Sequence, residues 1–406
     1  MKRFLYKARD SKTGQISKGV IQAENERTAG KLLIEQGMTP DRVEEDTSDM
    51  GLFQRFQNKV RTKDKIIFTR QFATLIGAGL PLSNSLRTVI EQTESKPMQR
   101  IVESILVDVE AGRTLTQACE KYPDVFNKVY IALLRAGEAS GSLDLSLKRL
   151  AEQQEKDNAM ISRIRGALIY PAIILAVIIA VLIFMILMIV PQVQSLYKDL
   201  KKPLPWMTGA LMDFSNFLIA FWWLVTIILG VVIYFLLQFR KTTVGTEWAA
   251  IFKLNVPIFK TMFWRLYNAR FARTAANLMS AGVSIQDTLQ ISAEAMNNVV
   301  LEKEIKEVSE KVKQGKTLSS SLKDLDYILP LLPQMASIGE ESGKIDEMLG
   351  KAAQVYEDEL EEQIRTISTM IEPVLMVIMA IMVGFIIMAV LFPIYAIVND
   401  VQGSSL

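Results

Sequence analysis

Two octets carry most of the polar chemistry this chain offers: GEASGSLD at Gly137–Asp144 and GEESGKID at Gly339–Asp346. Each supplies two carboxylates at matching places, Glu138 with Asp144 and Glu340 with Asp346. Each also supplies small residues at matching places: Gly137, Ser140 and Gly141 in the first, Gly339, Ser342 and Gly343 in the second. Carboxylates so spaced have three uses. They cap helices and form surface pairs, they meet a partner's Lys or Arg, or they hold a cation. The first use carries the most weight, because the flanking pattern already accounts for the residues. In LLRAGEASGSLDLSLKRLAEQQ a helix is expected to end near Gly141, with Ser142 capping the next. Leu143, Leu147 and Leu150 then resume the apolar stripe, as Ile345, Leu349 and Ala353 do in the second octet. Gly141 and Gly343 suit a backbone position of positive φ. Ser140 and Ser342 are expected to allow close helix approach.

Other routes to chemistry are sparse. The 406 residues contain no histidine, which removes the usual general base and the commonest metal ligand. The one cysteine, Cys119, can form neither an internal disulfide nor a Cys-rich zinc site, and it reads as a structural thiol on an amphipathic helix. There is no P-loop, no Gly-x-Ser-x-Gly and no kinase signature. No catalytic residue, cofactor or metal ligand is assigned. A net charge of +2 gives no global field that would favour nucleic acid.

Half the residues are hydrophobic although 22% are charged. Apolar segments joined to ordinary soluble domains produce that combination. Three segments are long and apolar enough to cross about 30 Å of hydrocarbon: Ala167–Pro191, Phe214–Gln238 and Pro373–Val398. None carries a charge in its middle, which disfavours an ion pathway. Arg163 and Arg165 precede the first span, and Arg240 and Lys241 follow the second. The positive-inside rule therefore predicts a cytoplasmic N-terminus, an external loop over 192–213 and an external tail over 399–406. Lys198, Lys201 and Lys202 in that loop weaken the contrast.

The octets belong to a larger repeat. RQFATLIGAGLPLSNSL at Arg70–Leu86 matches RTAANLMSAGVSIQDTL at Arg273–Leu289. EAGRTLTQA at Glu110–Ala118 matches KQGKTLSSS at Lys313–Ser321, which sets Arg113 opposite Lys316 at equivalent turns. Tyr170-Pro171 matches Glu372-Pro373, and Pro191 matches Pro393. The unit is a helical domain feeding one membrane helix, about Thr62–Pro191 and again about Trp264–Pro393. The middle span returns the chain so that both copies face one compartment. Five or six short helices per copy imply an all-α bundle. In the first, Ile67, Phe72, Leu75 and Ile76 are expected on the apolar face, Gly79 as a helix stop and Thr114 as a cap.

The beginning differs. Residues 1–45 read as a small α+β head: a β-hairpin turning at Lys12–Gly14, a helix over ENERTAGKLLIEQG, and a short strand in MTPDRVEED. A linker over 46–61 follows. The bundles are expected over 62–166 and 239–372, and the fold class is a mainly α membrane protein.

This order of parts, with TRQFATLIGAGLPL and both octets, resembles the PilC/GspF family of inner-membrane platform proteins of type IV pili and type II secretion. The resemblance covers nearly the whole chain. It implies a non-enzymatic protein that couples a cytoplasmic hexameric ATPase to insertion or removal of pilin or pseudopilin subunits. It also implies contact with other inner-membrane assembly proteins and a homo-oligomer, most often a dimer. Some members of the family carry calcium near the first bundle. Here Ser83, Asn84 and Glu138 offer one carboxylate at that turn, so calcium is not carried over. Arg113 and Lys316 are the candidate contacts for an acidic motor surface. A small transporter with parallel repeats is the alternative, and three spans without midplane polar residues argue against it.

Overall fold

The computed structural model describes residues 2–10, 16–23, 38–45, 60–199, 221–257 and 259–403, with isolated positions at 28, 30, 34, 209, 213, 216, 217, 219 and 220. The expected hairpin turn at Lys12–Gly14 lies outside the described residues. So do nearly all of the 46–61 linker, most of the expected loop after residue 199 and residues 404–406.

Three strands open the chain: β1 (Lys2–Asp10), β2 (Ile16–Ala23) and β3 (Met38–Glu45), in the order β2-β1-β3. Both pairings are antiparallel, with Phe4 opposite Ile21 and Tyr6 opposite Gly19 in the first. Pro40 lacks an N–H for a central ladder, and it lies on the edge strand, opposite Ala8 beside a register shift. The expected helix after β2 falls mostly outside the described residues. Thr28, Gly30 and Ile34 are helical.

From residue 60 onward the elements among the described residues are all helices. The first copy comprises α1 (Thr62–Gly77), α2 (Leu82–Gln92), α3 (Lys96–Glu110), α4 (Leu115–Glu120), α5 (Lys128–Ser140) and α6 (Leu143–Phe184). A π-helical turn, Met185–Ile189, joins α6 to α7 (Val190–Asp199). That widened turn stands directly before Pro191, whose ring would clash with a carbonyl in a regular preceding turn. After the returning helix α8 (Trp222–Phe239) and a short α9 (Thr243–Asn255) comes the second copy. It comprises α10 (Lys260–Ser280), α11 (Ile285–Ala295), α12 (Val299–Lys313), α13 (Leu318–Lys323), α14 (Leu331–Ser342) and α15 (Ile345–Gly403).

Each copy closes on its own core. In the first, Phe68 stacks on Phe72 at 5.6 Å and Phe126 tilts against Tyr130 at 4.7 Å. In the second, Phe271, Leu289, Ile305, Leu332 and Leu349 form one buried cluster. The buried face of α1 is Ile66, Phe68, Thr69, Phe72 and Ala73, while Ile67 is exposed. Of the expected face, Phe72 is buried and Leu75 and Ile76 are half-buried; Ile66 rather than Ile67 turns inward, because two adjacent isoleucines leave that choice to tertiary packing. Gly79, Gly112, Gly282 and Gly315 all have positive φ at equivalent helix ends.

Among the described residues three helices are long and apolar enough to cross a membrane: Leu143–Asp199, Trp222–Phe239 and Ile345–Met388. Two of them begin at the octets. The α6 helix has 42 residues and α15 has 59, without interruption between bundle and span. At 1.5 Å per residue α6 is about 60 Å long, roughly twice the hydrocarbon thickness. Pro171 and Pro373 lie inside these continuous helices.

Candidate functional site: the octet turns and the roots of the membrane helices

Each octet is a left-handed helix stop. Gly141 has φ 71° and Gly343 φ 67°, and both donate their backbone N–H to the first glycine of their octet. The next residues, Ser142 and Lys344, donate to the same Gly137 and Gly339 carbonyls at 2.9 Å. The first glycines are the close-approach positions. A Cβ on Gly137 would lie 2.4 Å from Ser146 Oγ, and one on Gly339 would lie 2.6 Å from Ile345 Cα. Close approach was expected of Ser140 and Ser342. Instead they are exposed, and their hydroxyls donate to Ala136 O and Ile338 O one turn back. Ser142 heads α6 without a side-chain cap bond, so the expected cap is absent there.

The octet glutamates cap a different helix. Glu138 accepts from the backbone N–H of Leu115 at 2.7 Å and of Thr116 at 3.1 Å, at the N-terminus of α4. Glu340 accepts from Leu318 N at 2.5 Å and Ser319 N at 3.3 Å, and from the Ser319 hydroxyl at 2.5 Å, at the N-terminus of α13. Both helices also carry a threonine cap, Thr114 on Gln117 N and Thr317 on Ser320 N. A carboxylate on these orphan N–H groups satisfies them and complements the helix dipole. The two strongest repeated motifs are therefore one structural joint, made twice. Asp144 and Asp346 sit in the first turns of α6 and α15, where the dipole also favours acid.

Arg113 and Lys316 are exposed at the turns before those capped helices. Arg113 pairs with Asp108 at 3.1 Å, and Lys121 meets the same carboxylate at 2.5 Å. Among the described residues Lys316 makes no ion pair. Cys119 is buried on α4, and burial pushes its thiol well above the ordinary range. Among the described residues no three of Cys, Asp and Glu converge as a ligand set.

Below the octets the long helices are braced. Arg70 on α1 pairs with Glu155 on α6, and Arg273 on α10 makes the equivalent bidentate pair with Glu357 on α15, at 2.8 and 2.9 Å. Glu357 is nearly buried and takes a second cation, Lys156 of α6, at 3.0 Å. The Gln153 amide of α6 donates to Thr274 and accepts from Asn277, both at 2.9 Å. Arg270 faces Asp157 at 3.7 Å, and burial raises the Asp157 carboxyl above its usual range despite that cation. Nearer the spans, Met160 on α6, Met262 and Leu266 on α10, and Leu360 and Ile364 on α15 form one apolar cluster.

Sequence reasoning did not single out Glu155, Glu357, Gln153 or Lys156. The first two stand at equivalent repeat positions and were discoverable from the duplication. Gln153 and Lys156 act across copies, and no local pattern encodes that.

Comparison with known proteins matches this architecture. The family model described as "Type II secretion system (T2SS), protein F" matches residues 68–191 and again 271–393, ending at the equivalent Pro191 and Pro393. The model for the N-terminal domain of that protein matches residues 1–44. A type IV pilus assembly protein PilC of Thermus thermophilus is 34% identical over 404 residues, covering 98% of this chain and 99% of that protein. The type II secretion system protein F of Xanthomonas campestris is 33% identical over 406 residues, covering 99% and 100%. That of Vibrio cholerae is 30% identical over 406 residues, covering 98% and 99%. With the duplicated bundle, the paired octet joints and three membrane-length helices, this chain belongs to the type II secretion system protein F family, which includes the PilC proteins of type IV pili.

Proposed function

We propose that this chain is the inner-membrane platform of a type IV pilus or type II secretion machine. In this reading it couples a cytoplasmic hexameric ATPase to insertion or extraction of pilin or pseudopilin subunits. The N-terminus and both bundles face the cytoplasm, the chain works as a homo-oligomer beside other inner-membrane assembly proteins, and it performs no catalysis. The names of its relatives support the machine. The observation that carries the coupling is the continuity of α6 and α15 from octet to span. A torque delivered at the octet turn, where α5 meets α6 or α14 meets α15, reaches the membrane through a single helix, with no loop between bundle and span. Arg113 and Lys316 expose cations at equivalent turns beside those joints, which suits an acidic motor surface.

The test is a variant with Gly-Ser-Gly-Ser inserted after Ser162, an exposed position on α6 between bundle and span. Expressed in the native host, it is expected to reach the membrane at wild-type level while surface filaments or secreted product are lost. Wild-type filaments or secretion with the insert present would overturn the coupling.

A further inference from the structure

The end of the returning helix α8 leads into a feature that coupling does not use. Thr242 caps α9 through Gly245 N at 3.1 Å, and its hydroxyl donates to Phe239 O at 2.7 Å. A Cβ on Gly245 would lie 1.8 Å from Phe239 O, so this glycine permits a sharp turn directly out of the span. The α9 helix is then two-faced. Ala250 and Leu254 are buried, whereas Val244, Trp248, Ile251 and Phe252 are exposed, with Trp248 stacked on Phe252 at 5.3 Å. An exposed aromatic and aliphatic face on a short helix following a membrane span is the pattern of an interfacial helix.

The exposed face of α9, with Trp248 and Phe252, forms one side of a groove of about 570 Å³ with an almost wholly apolar wall. Its lining includes one end of every membrane-length helix: Leu168 of α6, Leu236 of α8 and Ile371 of α15. These ends adjoin the bundles, so the groove opens at the level where lipid headgroups meet the cytoplasmic domain. Two lining residues are charged, Arg240 and Lys253, and both are cations. Among the described residues neither makes an ion pair. The nearby acids are engaged or outside the groove: Glu247 pairs with Lys303 at 2.5 Å, and the exposed Glu372 follows the lining residue Ile371 without lining the wall itself.

We propose that this groove binds one anionic phospholipid. An acyl chain lies along Phe252, Phe259 and Phe263, and the phosphate is held by Arg240 and Lys253. The volume falls within the range of small-molecule sites, and the wall is of the apolar kind with few convergent polar groups. The two unpaired cations select an anionic over a zwitterionic headgroup. The bound lipid fills the gap between α9 and the three span ends, where side chains leave it open.

The test uses the full chain purified in a neutral detergent, titrated with phosphatidylglycerol or with phosphatidylcholine of the same acyl chains, and read by native mass spectrometry. The first phosphatidylglycerol is expected to bind about tenfold more tightly than phosphatidylcholine. In R240Q/K253Q the preference is expected to fall to within about twofold. Ala249→Trp, which fills the groove, is expected to lose the first site for both lipids. Equal binding of the two lipids by the wild type, or an undiminished preference in R240Q/K253Q, would overturn the proposal. So would a dimer that excludes lipid and becomes monomeric on Ala249→Trp, because the groove would then be a self-association surface.

Discussion

Removing the Glu138 carboxylate is the sharpest perturbation of the octet. In Glu138→Ala the N–H groups of Leu115 and Thr116 lose their acceptor. Leu115 and Thr116 are themselves buried, so water replaces the carboxylate poorly. Hydrogen bonds to a charged group contribute about 1.5–3 kcal/mol each, and the charge at the helix N-terminus adds about 0.3–1 kcal/mol. Glu138 is half-buried and the two bonds are not independent, so the joint cost is about 2–4 kcal/mol. Thr114 still caps Gln117 N, which keeps α4 from unravelling completely. Hydrogen exchange of the Leu115 and Thr116 amides reads the local effect directly. Their protection is expected to fall by about 30-fold or more, since about 1.4 kcal/mol is tenfold. The melting temperature in detergent is expected to fall by roughly 5–15 °C. Glu340→Ala is expected to cost more, because the Ser319 hydroxyl bond is lost as well. Unchanged protection at Leu115 and Thr116 in Glu138→Ala, with melting within about 1 °C of wild type, would refute the capping role.

Three further outcomes follow from the same geometry. Alanine at the octet glycines should rank by what each Cβ meets: Gly339→Ala is the worst because it strikes backbone, Gly137→Ala is next against buried Ser146, and Gly141→Ala has open space and only a positive φ to resist. The first two are expected to cost about 1–3 kcal/mol in denaturant unfolding, and a reversed order would contradict the packing. Glu357→Ala strands Arg273 and frees Lys156, and a loss of about 3–5 kcal/mol is expected. Lys156→Ala alone, at a half-exposed cation, is expected to cost under about 1 kcal/mol, and equal losses would refute the assignment of Arg273 as the main partner. Asp157 has its folded carboxyl pKa raised above 3.8, chiefly by burial, so its ionisation opposes folding. Acidification through that raised value toward 3.8 should therefore stabilise the wild type relative to Asp157→Asn. A difference between the two that is flat in pH would contradict it.

What the sequence disclosed and what it withheld divide by range. The duplication was legible because glycines at forced positive φ recur in both copies, and neither Gly141 nor Gly343 tolerates another residue well. The membrane-length helices were legible from apolar length alone. The Glu138 partner was not, because it lies 23 residues earlier on another helix, although both ends of the bond sat in recognised repeats. The serine roles were misread because a small side chain beside a glycine suggests packing, whereas tertiary structure put the glycine against the neighbouring helix. Amphipathic α9 escaped notice because it follows a span directly, and its exposed Trp248 and Phe252 look like the core residues of a bundle. The braces through Gln153 and Lys156 join two copies that the sequence describes only one at a time.

In the proposed mechanism a motor pushes on the joints beside the octets. A photo-reactive residue placed at Arg113, and another at Lys316, tests it in native membranes. Capture of a hexameric cytoplasmic ATPase is expected from at least one of these turns. Capture from both turns of only this chain, or only of pilin-like helices, would contradict it.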